Sequence, residues 1–226
     1  MSKGRVEVVP YRKNGIKGLD IRVCDEGASV DDYCAALGDY ILTADFDRLR
    51  ARKSSCEGCD VCCRERMPLT SVDVLTMHKK LAPALDFAEL LRRFTYIAVS
   101  GRSVDIVLAR DYEGDCIFLD KKKKRCLHYQ QRLLVCRTYI CTACSPRAAK
   151  LREAVVNTGE DELVRLWIAA GGTEAAIHEA DAPDVQAADW PENAWTGKAE
   201  FSDILLVDMV TPELWTELCG KGESDV

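Results

Sequence analysis

Four cysteines within eight residues constrain this chain more than any other feature of its sequence. Cys56, Cys59 and Cys62 are spaced C-x2-C-x2-C, and Cys63 follows directly. Three thiolates at this spacing match the run that wraps an iron–sulfur cube in bacterial ferredoxins. The cysteine before a proline that completes that motif is missing, so we expect a remote fourth ligand or one open iron position. Because neighbouring side chains point in different directions, Cys63 is expected to serve a second site or to pack in the core.

A second group of cysteines follows further along the chain, at Cys116, Cys126, Cys136, Cys141 and Cys144. The last three are spaced C-x4-C-x2-C, which also occurs in plant-type ferredoxins, but residues 130–140 indicate a helix rather than the open loop of that motif. Cys141 and Cys144 precede a helix expected to begin at Pro146, and a helix N-terminus stabilises thiolates. The second group is therefore predicted to supply further ligands.

The expected compartment makes metal binding the favoured use of these thiols. Residues 1–30 contain no apolar run typical of a secretory signal, and no stretch approaches the ~18–20 apolar residues of a membrane span. We therefore expect a cytoplasmic protein, in which thiols stay reduced. All nine cysteines from Cys56 to Cys144 are predicted metal ligands, whereas Cys24, Cys34 and Cys219 are expected to pack as small apolar side chains.

Charge divides the chain into two parts. Residues 1–150 hold 27 Lys and Arg against 20 Asp and Glu, whereas residues 151–226 hold 4 against 17. We expect a cysteine-rich, metal-binding part over 1–150 and an acidic helical part over 151–226, packed together as one unit. The net charge of −6 argues against broad nucleic-acid binding, which needs clustered positive charge. Arginines near the cysteines, among them Arg132 and Arg137, would offset the charge of several thiolates.

The apolar pattern predicts an α+β fold that is mostly helical, with a small antiparallel sheet and a cysteine-rich metal-binding region. The sheet is expected from residues 5–24 and 96–128, with a lysine-rich hairpin tip at 121–125. Helices are predicted over 30–51, 70–81, 84–94, 130–140 and 146–156, and near 160–170, 173–179, 202–209 and 212–219. Ser29, Thr70 and Ser145 are the predicted N-caps of three of them.

Residues 54–145 resemble the CxxCxxCC cysteine-cluster family, whose members are described as zinc- or iron-chelating. The resemblance rests on the cysteine run, on a hydroxyl and an aspartate at a helix start, and on the successive patterns C-x-F-L, C-x-x-Y and Cys-Arg-x-aromatic-x-Cys. The matching positions are Cys56, Cys59, Cys62, Cys63, Thr70, Asp73, Cys116, Phe118, Leu119, Cys126, Tyr129, Arg132, Cys136, Arg137, Tyr139 and Cys141. The chain differs from the family at Leu133, where the family has proline after the arginine. This difference affects the local turn and not the set of metal ligands.

Flagellin lysine N-methylase has a similar cysteine pattern and is associated with an iron–sulfur cluster. Its methyl transfer is not implied here, because the sequence contains no motif that would hold S-adenosylmethionine. The hypothesis of a protein-modifying enzyme, such as an iron–sulfur-dependent methyltransferase, therefore rests on family analogy alone. The sequence identifies no catalytic residue for it.

Two other functions stay open beside that enzyme. The favoured one is a metalloprotein with an iron–sulfur cluster, expected to be 4Fe–4S, that transfers electrons, senses or supports a modification reaction. The alternative is a zinc protein with one or two structural four-cysteine sites in an interaction module. Nine clustered cysteines exceed one zinc site, although two zinc sites would use eight of them. We expect a protein or redox partner, and we expect no binding to nucleic acid or to a membrane.

Overall fold

An antiparallel hairpin opens the chain in the computed structural model, which describes residues 4–50, 58–172 and 177–220. Its strands are β1 (Val6–Lys13) and β2 (Ile16–Val23). Asn14 and Gly15 connect them with φ angles of 52° and 79°, the left-handed values that a tight two-residue turn requires. The hairpin predicted over residues 5–24 is therefore confirmed.

Two other small sheets follow, formed by β3 (Thr95–Ser100), β4 (Ser103–Leu108), β5 (Leu119–Asp120), β6 (Arg125–Cys126) and β7 (Glu179–Asp181). β3 pairs antiparallel with β4 and parallel with β7, while β5 and β6 pair around the lysine-rich tip. The prediction of one sheet shared by 5–24 and 96–128 is wrong. The hairpins stay separate because β1–β2 and β3–β4 bury their apolar residues in different cores.

Six α-helices lie in the described residues, namely α1 (Val30–Thr43), α2 (Ser71–Leu81), α3 (Phe87–Phe94), α4 (Leu134–Thr138), α5 (Pro146–Ala169) and α6 (Pro212–Cys219). The side chains of Ser29, Thr70 and Ser145 accept the N–H of the third helical residue, as predicted. Helices and small antiparallel sheets together confirm the α+β class. None of the described helices combines the length and the apolar character needed to cross a membrane.

Two helix lengths differ from the sequence prediction. α1 ends at Thr43 instead of residue 51, because the chain beyond it turns back onto β2. There, Asp47 N–H donates to the Lys17 carbonyl at 3.1 Å, and Lys17 N–H donates to Asp47 Oδ2 at 2.8 Å. α5 is one helix where two were predicted. Gly159 lies inside it, packed against Thr70 and Trp195, so the glycine marks a close contact and not a helix end.

Three other predicted helices are shorter or differently formed. The segment 130–140 contains a 3-10 turn, Tyr129–Gln131, followed by α4. The segment 202–209 forms two 3-10 turns instead of an α-helix, because backbone bonds join it to the start of α1: Val30 N–H donates to the Ile204 carbonyl, and Leu206 N–H to the Ala28 carbonyl. Of the predicted helix 173–179, residues 173–176 lie outside the described residues, and Glu179 begins β7.

α5 passes through both apolar cores and joins them. Leu151 and Val155 pack with β1–β2, α1 and α6 in one core. Leu163 and Trp167 pack with α2, α3 and β3–β4 in the other. Residues on both sides of position 150 therefore contribute to each core, and the division into parts 1–150 and 151–226 stays a prediction.

Candidate metal centre

Both cysteine segments open onto one cavity of about 300 Å³. Seven of the nine predicted ligands line it, namely Cys59, Cys62, Cys63, Cys116, Cys126, Cys136 and Cys141. Cys56 lies outside the described residues. Cys144 does not line the cavity, because it forms a β-bridge with Leu19 and packs against the core of β1–β2. The fold thus brings together two groups of thiols that are 53 positions apart at their nearest members, Cys63 and Cys116.

Backbone hydrogen bonding aligns the first cysteine segment with the second. A 3-10 turn carries Cys62 and Cys63. The N–H of Cys116 donates to the carbonyl oxygen of Cys63 at 2.9 Å. Next to this bond, Arg64 Nε donates to Asp115 Oδ1 at 2.7 Å. The two segments are therefore held side by side by contacts that involve no sulfur.

Backbone N–H groups point at two of the sulfurs in the cavity. Phe118 N–H donates to Cys116 Sγ at 3.4 Å, and Arg50 N–H donates to Cys141 Sγ at 3.0 Å. A hydrogen bond to sulfur favours the thiolate, which is the form that binds metal.

A buried carboxylate fixes the helix that carries Cys136. Asp73 is 3% exposed, and its Oδ2 accepts the N–H and the hydroxyl of Thr70 at 3.0 and 2.8 Å. Its Oδ1 accepts the N–H of Leu134, the first residue of α4, at 2.9 Å. The sequence identifies Asp73 as a capping residue of α2, but its bond to α4 is a tertiary contact that no local pattern encodes. Met67 is a second residue that the sequence does not single out, and its Sδ lies 3.6 Å from Cys136 Sγ.

The environment of the thiols determines which of them hold a proton. Burial raises the pKa of Cys116 to about 11 and also raises the pKa values of Cys126 and Cys136. A hydrogen bond from the Cys63 thiol lowers the pKa of Cys62, and the same bond raises the pKa of Cys63. A bound metal would displace the protons of these thiols. Soft sulfur donors in a partly buried cavity fit zinc or an iron–sulfur cluster better than a hard cation.

Arg132 and Arg137 stand beside the cysteines on the cavity wall, as the sequence predicted, whereas Arg64, Arg66 and Arg147 do not line it and pair with carboxylates. The charge of Arg132 acts on Cys62 and Cys126, in each case favouring the thiolate. The guanidinium carbon of Arg132 lies 4.3 Å from the centre of the Tyr129 ring. Arg137 Nη2 donates to Asp31 Oδ1 at 3.2 Å.

The remaining cysteines lie away from the cavity. Cys34 is buried on α1, as expected. The expectation that Cys24 and Cys219 pack in the core is wrong, because both are exposed. They lie just after β2 and at the end of α6, where a strand and a helix reach the surface.

The three histidines occupy different surroundings. His128 lines the cavity and packs edge-on against Phe118, with ring centroids 4.9 Å apart. His78 Nε2 lies 2.8 Å from the Leu85 carbonyl oxygen. His178 Nδ1 accepts the N–H of Ile97 at 3.1 Å. Packing and backbone contacts therefore account for these side chains.

A cluster of carboxylates lies outside the cavity. Asp111, Glu113 and Asp115 have ligand oxygens within 4.8 Å of one another. The ammonium group of Lys121 contacts all three carboxylates, so this lysine already supplies the counter-charge. In the part of the chain that the structure describes, no three cysteine sulfurs meet the same distance limit.

Comparison with known families agrees with this geometry. Residues 55–159 match the model of the CxxCxxCC family, described as "Putative zinc- or iron-chelating domain". The match covers both cysteine segments and confirms the resemblance seen in the sequence. No curated protein and no solved structure matches the chain.

Proposed function

We propose that the metal-chelating domain over residues 55–159 holds an iron–sulfur cluster, of the 4Fe–4S type, in the cavity between the two cysteine segments. The observation that carries this proposal is the convergence of seven predicted ligands on one cavity from segments far apart in sequence. Cys56 would join them through the C-x2-C-x2-C run, whose spacing is that of cluster-binding loops.

The spacing of the sulfurs favours a cluster over a single ion. Four thiolates around one zinc ion at about 2.3 Å lie roughly 3.8 Å from each other. Among the described residues, no three cysteine sulfurs lie within 4.8 Å of one another, so they are spread more widely than one zinc ion requires. A cluster spreads its ligand sulfurs more widely, because each of them binds a different iron.

The exposure of the first segment supports a redox role. Cys62 is exposed, and Cys59 and Cys63 are partly exposed. A cluster held there would supply one-electron chemistry near the surface, where a redox partner in the cytoplasm could approach. Cys136 is held more deeply, on α4 beside Met67. The chain's own contribution is to position the thiols and to limit the access of water on the α4 side.

Zinc is the second candidate, and the family description names both metals. In that case one or two four-cysteine sites would be structural, and the protein would act as an interaction module. A third candidate, an iron–sulfur-dependent modifying enzyme, needs a place for a substrate beside the metal. The cavity extends beyond the cysteines to Tyr139 and Phe201, which provides such a place.

Serine variants test whether both cysteine segments belong to one centre. Cys62→Ser and Cys136→Ser should each lower bound metal per chain by at least half, because each removes a thiolate from the shared cavity. Cys219→Ser is the matched control, since this exposed cysteine lies on α6 and should leave the metal content unchanged. Metal would be measured by elemental analysis of anaerobically purified protein. Full metal content in both cavity variants would contradict a shared centre.

A further inference from the structure

Two sulfur atoms from distant parts of the chain meet on the cavity wall. The Cys136 thiol donates to Met67 Sδ at 3.6 Å, although the two residues are 69 positions apart. Both residues line the cavity. Met67 is 5% exposed, and Cys136 is partly buried. The fold therefore places two soft donors in contact beside the other cysteines.

Backbone contacts position both members of this pair. Leu108 N–H donates to the Met67 carbonyl at 2.9 Å, which ties Met67 to the end of β4. On the other side, Arg132 Nη1 donates to the Cys136 carbonyl at 3.3 Å. Because both backbones are held by contacts that involve no sulfur, an ion could bind to the pair with little rearrangement of the chain.

The distance between the two sulfurs is close to that of two ligands on one metal ion. Sulfurs bound to one ion at about 2.3 Å, in a tetrahedral or trigonal arrangement, lie roughly 3.8–4.0 Å apart. The Cys136–Met67 distance of 3.6 Å differs from this separation by only a small side-chain movement. The pair therefore has the spacing of a single-ion site.

The thioether determines which ion the pair would select. Zinc sites in proteins are built from Cys, His, Asp and Glu side chains, and Mg²⁺ and Ca²⁺ take oxygen ligands. A thioether is an uncharged soft donor, and a thiolate together with a thioether favours Cu(I). A methionine beside a cysteine thus points to a soft monovalent ion.

The surroundings complete the coordination and exclude water. The charges of Cys62, Cys116 and Cys126 act on Cys136, so further thiols lie near the pair. Cu(I) accepts few ligands, and one neighbouring thiolate would be enough as the third. Met67 belongs to the apolar core of α2, α3 and β3–β4, which would keep water away from the ion on that side.

We propose that Met67 and Cys136 form a Cu(I) site, in which the Met67 thioether, the Cys136 thiolate and one neighbouring thiolate bind a single ion. The Cys136 thiol releases its proton when the ion binds. This site goes beyond the proposed function, because it adds a different metal and a ligand that is not a cysteine. It concerns the chain without a cluster, since both groups need Cys136.

The test is an anaerobic titration of Cu(I), in competition with bathocuproine disulfonate, into the full-length chain freed of other metals by chelation. Met67→Leu keeps the apolar character but removes the sulfur, and should weaken binding of the first Cu(I) equivalent about tenfold or more. Met77→Leu is the matched control, because Met77 lines the same cavity and is 4% exposed. It should leave the affinity unchanged.

A second variant separates metal binding from packing. Met67→Cys restores a soft donor but is smaller than methionine, whereas leucine fills nearly the same volume. A ligand at position 67 predicts weak Cu(I) binding in Met67→Leu and retained binding in Met67→Cys, while a purely structural methionine predicts the opposite order. Wild-type affinity in Met67→Leu, or an equal loss in both variants, would overturn the proposal.

Zinc and iron measurements separate this site from the proposed cluster. Zinc affinity should be the same in wild type and Met67→Leu, and an equal loss of zinc and copper binding would overturn the Cu(I) site. Iron and sulfide are counted before chelation. Cu(I) binding that depends on Met67, in protein purified without iron or sulfide, would contradict only the cluster. Cluster-containing protein whose metal-free chain binds Cu(I) independently of Met67 would contradict only the Cu(I) site.

Discussion

At the scale of single residues, one carboxylate couples the two halves of the site. Asp73 completes the capping box of α2 through Thr70 and accepts the first N–H of α4. Burial raises the pKa of Asp73, against the effect of these hydrogen bonds. The charged form of Asp73 therefore depends on these hydrogen-bond donors, and the position of the first residue of α4 depends on Asp73.

Removal of this carboxylate should destabilise the fold strongly. Asp73→Ala leaves Thr70 N–H and Leu134 N–H buried without an acceptor, which should cost about 2–4 kcal/mol in the free energy of unfolding. Denaturant unfolding would measure the loss. Glu89→Ala is the matched control, because Glu89 holds the same position in the exposed capping box of α3 and should cost about 1 kcal/mol or less. Equal costs in the two variants would contradict the coupling.

Glu160 should make the stability of the fold depend on pH. Burial raises the pKa of Glu160 from 4.5 to about 7, although Arg66 counteracts part of the effect. Because the pKa is higher in the folded state, the stabilisation is complete below pH 4.5 and is lost as the pH rises through 7.

Glu160→Gln should remove this loss. The variant stays neutral, so at pH 8 it should be more stable than the wild type by about 1–2 kcal/mol, with the difference vanishing near pH 4. Thermal unfolding at both pH values would measure it. Glu153→Gln, at an exposed position of the same helix, should show no such difference. A variant less stable than the wild type at pH 8 would contradict the burial argument.

The sequence was informative about individual residues where the signal is local. The spacing of Cys56, Cys59 and Cys62, with Cys63 directly after them, is a dense local pattern, and the family match covers it. The contact between Met67 and Cys136 was not predictable, since it depends on which groups fold against each other.

At the scale of elements, the residue at the middle of α5 is determined by packing against neighbouring segments rather than by helix propensity. A Cβ on Gly159 would lie 2.7 Å from Thr70 Cγ2 and 2.9 Å from Trp195 Cη2. The glycine thus allows α5 to approach the N-cap of α2 closely. Through Thr70, α5 also touches the hydrogen-bond network of Asp73.

Alanine at Gly159 should therefore destabilise the protein, although alanine favours helices. The clash should cost more than the ~1 kcal/mol gained in propensity, for a net loss of about 1–2 kcal/mol. Gly38→Ala in α1 is the control, because an added Cβ meets no heavy atom within 4 Å there, and it should stabilise by about 0.5–1 kcal/mol. Denaturant midpoints would compare the two. Stabilisation in both variants would contradict the packing account.

The elements show which parts of the fold a local pattern can predict. Caps and turns follow from Thr70, Ser145 or Asn14-Gly15, because those residues act on their immediate neighbours. Local sequence patterns did not predict the end of α1 at Thr43 or the continuity of α5. Each depends on a contact with a segment distant in sequence, Lys17 in the first case and Trp195 in the second.

At the scale of the whole molecule, the metal would close a loop between two segments that the fold already aligns. The segment Val61–Arg64 contains no buried residue, and Arg64 is held by its ion pair with Asp115. By contrast, the region between Met67 and Leu108 contributes much of one apolar core. Loss of metal should therefore open the first cysteine segment and leave that core intact.

Limited proteolysis should show this difference. In Cys136→Ser, tryptic cleavage after Arg64 should become about tenfold faster, because opening a few surface residues costs little free energy. Cleavage after Arg92 in α3, measured in the same digest by mass spectrometry, serves as the internal control and should not change. Faster cleavage at Arg92 without faster cleavage at Arg64 would contradict a local role of the metal.

The identity of the bound metal tests the central claim most directly. Iron, zinc and acid-labile sulfide would be quantified per chain in anaerobically purified protein, together with its absorbance at about 400 nm. The account predicts a brown protein with about four iron and four sulfide per chain and no stoichiometric zinc. Colourless protein with one or two zinc ions per chain and no sulfide would contradict it, because zinc is d¹⁰ and does not absorb there.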